Sequence, residues 1–131
     1  MKIHHLGKVV RSIAEELQKY ERLGFDAEKD ILVDQEQKVR VGKVKSESCM
    51  IELLEPLDES SPIWNFSQNQ AGFHHICIEV PDIEAYIAAV KARGLGFRLT
   101  GKTRSVFDGR TVCFIATKEK DIIELIEPLS I

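Results

Sequence analysis

The stretch Ile51-Glu52-Leu53-Leu54-Glu55-Pro56-Leu57 occurs twice. Seventy-two residues on, the chain reads Ile123-Glu124-Leu125-Ile126-Glu127-Pro128-Leu129, with one conservative change in seven positions. A second pair of segments frames the first. Ile3-His4-His5-Leu6 is echoed by Phe73-His74-His75-Ile76. Each half of the chain thus opens on a double histidine and closes on a carboxylate inside an apolar run. A period this long is not a solenoid unit; it marks one duplicated module.

The 131 residues are one domain's worth of chain. With 44% hydrophobic and 30% charged residues, the composition is that of a soluble globular protein. A formal net charge of -3 offers no basic footprint for nucleic acid or an anionic membrane. No run of about 18 apolar residues is present to cross a bilayer. The start, Met1-Lys2-Ile3-His4-His5, lacks an apolar signal region, which predicts a cytoplasmic protein. Cys49, Cys77 and Cys113 lie in apolar runs, far apart and without a zinc-like spacing. They are expected to be reduced and buried.

In chain order, 3–10 reads as a strand. Ser12 then stands as an N-cap with Glu15 three residues on. Ile13, Leu17, Tyr20 and Leu23 recur at helical spacing, and Gly24 ends that helix. Strands are expected over 30–33, 38–45 and 48–54, so the first module is β-α-β-β-β. Residues 58–72 connect the halves, with Ile63, Trp64 and Phe66 as a short packed amphipathic piece. The second module repeats the plan. A strand spans 73–80, and Pro81 and Asp82 begin a helix carrying Ile83, Ile87, Val90 and Leu95. Leu95-Gly96-Phe97 echoes Leu23-Gly24-Phe25. Strands follow near 98–99, 103–107 and 111–117, with Asp108-Gly109 as a hairpin turn, and 122–126 is last. Lys118-Glu119-Lys120 is a solvated charge run.

Alternation sorts the histidines. His74, Ile76, Ile78 and Val80 form an apolar face suited to packing beneath the helix, while Phe73, His75, Cys77 and Glu79 form the other, more polar face. His75 is therefore the candidate for a site, and His5 is its counterpart by the repeat. Glu52 and Glu124 lie mid-run among apolar residues, where a lone carboxylate is costly unless paired or bound to a metal. Glu55 and Glu127, beside prolines at the strand ends, are expected at the surface. Arg110, after the hairpin turn, is read as a surface arginine. If the modules pack with approximate twofold symmetry, two His and two Glu converge as a set suited to a first-row divalent ion or zinc. Such a set leaves positions open for water or a substrate's oxygen pair.

At these residues the chain resembles the vicinal oxygen chelate superfamily, also called glyoxalase/bleomycin-resistance/dioxygenase. Within it, the methylmalonyl-CoA epimerases look most similar. The segments that carry the resemblance are His4-His5-Leu6-Gly7, Ile51–Pro56 with Ser61-Pro62-Ile63, Gly72–Val80, and Ile123-Glu124-Leu125. The resemblance implies an α+β fold over 1–131 as a single domain: two tandem βαβββ modules, 1–57 and 72–131, joined by 58–71, in a U-shaped mixed sheet around a metal. It implies His5, Glu52, His75 and Glu124 as ligands of one divalent ion, cobalt, nickel, manganese or zinc. The implied activity is metal-dependent enolisation, with epimerisation of methylmalonyl-CoA or a related acyl-CoA first. Lactoylglutathione lyase activity is the alternative, and non-catalytic ligand binding of the bleomycin-resistance type is a second. Glu124 is the implied base and Glu36 matches a second one. The implied partner is a small thioester or hemithioacetal, in a homodimer that binds neither nucleic acid nor membrane. Two segments depart from the epimerase pattern: Thr117–Asp121 is shorter than usual, and Asp108-Gly109-Arg110 replaces a His-Gly-Lys.

Overall fold

The structure is a computed structural model and describes residues 1–129. Its elements run β1 (Lys2–Val9), α1 (Ile13–Arg22), β2 (Asp26–Ala27), β3 (Leu32–Asp34), β4 (Val39–Lys45) and β5 (Met50–Pro56). They continue with α2 (Trp64–Asn69), β6 (Gly72–Glu79), α3 (Ile83–Ala92), β7 (Gly96–Arg98), β8 (Thr103–Arg104), β9 (Thr111–Thr117) and β10 (Ile122–Ile126). The class is α+β with mixed strand pairing. Two compact units are present, one of His5–His74 and one that starts at His75 and takes in Met1–His4.

In the unit His5–His74 the strand order is β2-β4-β5-β1, with β3 also on β4. β1 and β5 are parallel and the other pairs antiparallel. Helix α1 closes one face. Its Ile13 and Tyr20 join Val10, Val44, Ile51 and Leu53 in the core. Each such side chain, fully buried, contributes about 1.5–3 kcal/mol. The other unit is built alike, in the order β6-β10-β9-β7 with β8 also on β9, and with β6 and β10 parallel. Beneath α3, Ile83 and Ile87 pack on Ile78, Val80, Cys113, Ile115 and Leu125.

Helices α1 and α3 begin and end in the same way. The Ser12 and Asp82 side chains accept hydrogen bonds from the Glu15 and Ala85 amides, at 3.3 and 2.8 Å. Glu55 and Glu127 are not free at the surface, as their places beside proline suggest. Each carboxylate accepts the N–H of the first helical residue, Ile13 at 2.9 Å and Ile83 at 2.8 Å. These amides have no partner inside the helix, and the helix dipole favours an anion there. At the far ends the Phe25 N–H reaches Tyr20 O and the Leu95 N–H reaches Val90 O, both at 3.0 Å. Gly24 (φ 101°) and Gly94 (φ 64°) supply the left-handed residue this closure requires. Gly96 therefore does not correspond to Gly24, although both stand in Leu-Gly-Phe.

Other expectations are revised. Only Thr103–Arg104 of the expected strand 103–107 pairs with β9, and a loop closed by Ser105 N–H to Arg110 O, at 2.8 Å, replaces a two-residue turn. Ile78 and Val80 pack under α3, but Ile76 is exposed; Cys77 is fully buried on the opposite face with Val112 and Ile126. Leu23 and Leu95, placed at helical spacing by the sequence, follow the last turn of their helices and are exposed. The cysteines are free thiols, Cys77 and Cys113 buried and Cys49 partly so. No helix among the described residues is long and apolar enough to cross a membrane.

Replacing Glu55 or Glu127 by Ala is expected to lower stability by about 1–2 kcal/mol each, read from urea unfolding at pH 7, because a helix-start acceptor is lost. Changes under a few tenths would show that water replaces the carboxylate at no cost.

Candidate metal centre

In each unit a parallel strand pair fixes one histidine and one glutamate on the face away from the helix. Gly7 of β1 stands beside Glu52 of β5. His5, two residues earlier, shares that face, and its Nδ1 lies 3.1 Å from Glu52 Oε2. In the other unit Glu124 of β10 stands beside Cys77 of β6, and His75 Nε2 lies 3.3 Å from Glu124 Oε1. The repeat thus reproduces the pairing, through Nδ1 in one unit and Nε2 in the other. His5, His75 and Glu124 are all buried, at 2%, 8% and 8% exposed. A carboxylate this far out of water is costly unless something cationic or protic faces it.

The next residue across the face differs between the units. Lys43 is directly opposite Glu52, and Phe114 is directly opposite Glu124. The Phe114 ring meets His75 edge to face, with centroids 5.2 Å apart and planes at 89°. Phe114 thereby fixes the imidazole's orientation, a role no feature of its sequence context announces.

The remaining candidates lie elsewhere. His74 packs edge to face on Phe66, with centroids 5.0 Å apart. His4 Nε2 lies 2.6 Å from Arg110 Nη2, and a guanidinium only donates, so this imidazole nitrogen accepts. Arg110 is no surface arginine: its side chain is 12% exposed and also meets Asp108 at 2.9 Å and Glu79 at 3.5 Å. Burial pushes the Asp108 carboxyl up, but the amide and guanidinium of Arg110 outweigh it and hold the group below its ordinary 3.8. Glu36 is exposed in the turn joining β3 and β4. The register sets that turn at the Pro56 end of β5, four residues from the level of Glu52, or about 13 Å.

The donor chemistry fits a divalent ion. Imidazole nitrogen and carboxylate oxygen suit zinc and the first-row dications. Two such atoms each bonded at about 2.1 Å to one ion stand roughly 3.0–3.4 Å apart, for octahedral to tetrahedral angles. The separations of 3.1 and 3.3 Å fall in that range.

The family model described as glyoxalase/bleomycin resistance protein/dioxygenase superfamily matches residues 4–114. Mitochondrial methylmalonyl-CoA epimerase of Dictyostelium discoideum is 31% identical over 132 residues, 96% of this chain and 78% of that protein. A hypothetical protein from Bacillus halodurans has a similar structure, with TM-score 0.86 and 30% identity over 99% of this chain and 96% of its own. Streptomyces coelicolor methylmalonyl-CoA epimerase, in complex with 2-nitronate-propionyl-CoA, gives a TM-score of 0.84 over 100% of this chain and 96% of its own. Its 24% identity is a likeness of fold.

A depressed carboxyl stabilises the fold above its ordinary pKa, and the effect is lost as pH falls through the folded value. Asp108→Asn is therefore expected to lower the urea midpoint at pH 7, and the gap from the unmodified protein should close below about pH 4. A gap that persists at pH 2 would assign the loss to packing.

Proposed function

The chain belongs to the glyoxalase/bleomycin resistance protein/dioxygenase superfamily and is an enzyme of its isomerase/epimerase kind, and on that premise we propose that it epimerises methylmalonyl-CoA or a related 2-substituted acyl-CoA at C2. The observation that carries this reading is the twin His–Glu pair, repeated by the duplication at 3.1 and 3.3 Å. The likeness to the Dictyostelium enzyme, over 96% of this chain and 78% of that protein, supports the choice of substrate class.

In this proposal His5, Glu52, His75 and Glu124 together hold one divalent cation, of cobalt, nickel, manganese or zinc. When bound, the ion supplies Lewis-acid stabilisation for the negative charge that develops next to a deprotonated C2. Glu124 is the base. Its carboxylate accepts the C2 proton and holds it on oxygen, in surroundings kept dry by burial and by Phe114. His75 orients that carboxylate from 3.3 Å. Inversion further needs a proton delivered to the opposite face of the planar intermediate. Glu36 is proposed for that role, which requires its exposed turn to swing inward from the Pro56 end of β5.

Protein freed of metal with a chelator is expected to take up about one equivalent per chain on titration, seen by calorimetry and elemental analysis, and His75→Ala should abolish that uptake. Retained uptake would move the centre elsewhere. In deuterated water the enzyme should exchange the C2 hydrogen of methylmalonyl-CoA, and Glu124→Gln should slow this by about a thousandfold. Glu36→Gln should leave wash-in to one epimer while stopping inversion. Turnover of the methylglyoxal–glutathione hemithioacetal, with no exchange into methylmalonyl-CoA, would instead favour the lyase, whose ligand set a carboxylate at Glu52 also suits.

A further inference from the structure

The duplicated modules differ on the face that carries their His–Glu pairs. Residues directly opposite across an antiparallel pair share a face. In the unit His5–His74, Glu52 is followed across the face by Lys43 on β4, and the next level pairs Lys45 with Asp26 of β2. That face is charged. At the equivalent positions of the other unit stand Phe114 and Ala116 on β9, and Ala116 is opposite Phe97 of β7. Leu99 follows, its N–H bonded to Phe114 O at 2.8 Å. That face is apolar from Glu124 out to the sheet edge.

The cause is a shift of register. Phe25 directly follows the glycine that ends α1 and turns into the core, edge to face on Tyr20 with centroids 5.1 Å apart. After α3 the glycine is Gly94, so Leu95 takes the place of Phe25 and Phe97 comes two residues later. Gly96 permits the close approach of β7 to β9, since a Cβ there would stand 2.3 Å from Ala116 O. Phe97 consequently shares the face of Glu124 and is 51% exposed; Leu99 is 46% exposed. Arg98, between them, points to the helix side and bonds to Glu84 of α3 and Cys113. A one-residue slip would bury Phe97 and expose Arg98, the cheaper arrangement in water. The observed register instead leaves an aromatic and a leucine side chain open on the face of the buried carboxylate, about 10 Å across two strand spacings from β10.

We infer that Phe97 and Leu99, with Phe114 and Ala116, form a subsite for an apolar chain at C2 of the substrate longer than methyl. The occupant is argued from continuity: the apolar strip starts at the proposed base and carries no charge until the edge. This rests on the acyl-CoA epimerase reading and narrows it to 2-alkylmalonyl thioesters with extended alkyl groups.

The test uses the full chain with methyl-, butyl- and hexylmalonyl-CoA, following C2 deuterium exchange and, separately, binding by calorimetry. The expected result is a kcat/KM for hexyl at least equal to that for methyl. Phe97→Ser and Leu99→Ser should each lower the hexyl-to-methyl ratio about tenfold, mainly through KM, the loss of roughly two buried methylene contacts. Phe97→Leu should restore most of it. An equal fall for every chain length, or none, would overturn the subsite. So would a change from dimer to monomer in Phe97→Ser with selectivity intact, because a second copy would then cover the strip. Absence of exchange with all three thioesters would defeat the epimerase reading, yet tighter calorimetric binding of hexyl that is lost in Phe97→Ser would uphold the subsite. Binding and exchange both indifferent to chain length would end it.

Discussion

The constraint on which the rest depends is a carboxylate held out of water beside an imidazole on a parallel strand pair. A strand at this position is covered on its other side by a helix, so every second side chain is spent on an apolar core. Glu52 and Glu124 take the opposite face. Each needs a partner at a fixed offset on the neighbouring strand, and a histidine two residues before the level of the glutamate meets the need in both units. Parallel pairing is part of the requirement, because it sends β1 and β5, or β6 and β10, in the same direction and fixes the offset.

Helix placement follows from the same segments. Glu52 and Glu55, like Glu124 and Glu127, are three residues apart, and an odd separation sends side chains to opposite faces of a strand. One carboxylate therefore faces the histidine while the other reaches over to the first amide of the helix. A single seven-residue stretch builds both sides of its unit. This explains why the repeat spans the whole segment, when a metal ligand alone would need only one of its positions.

The two copies part where the catalytic proposal needs asymmetry. An epimerase substrate carries a carboxylate, a thioester and an alkyl group at one carbon, and a twofold-symmetric site could not tell them apart. Lys43 opposite Glu52 and Phe114 opposite Glu124 make the corresponding face charged in one unit and apolar in the other, on one backbone plan. The extension of the apolar side through Phe97 and Leu99 results from where a helix-ending glycine falls.

The duplication, a helix after the first strand of each half, the helix starts at Ser12 and Asp82, and the opposite faces taken by His74 and His75 were all legible in the chain. Each rests on a local rule: a repeat, a cap, or strand periodicity of two. Other features were not legible. Glu55 and Glu127 read as surface residues because a bond to a helix amide across 42 or 44 residues leaves no local mark. Arg110 read as exposed because its partners, His4 and Glu79, come from distant strands. The Leu-Gly-Phe echo misled because pairing register, a long-range property, decides which face a strand residue takes. The sequence by itself determined which residues alternate and which segments repeat; the tertiary structure decided what each face meets, because burial and pairing depend on neighbours remote in the chain.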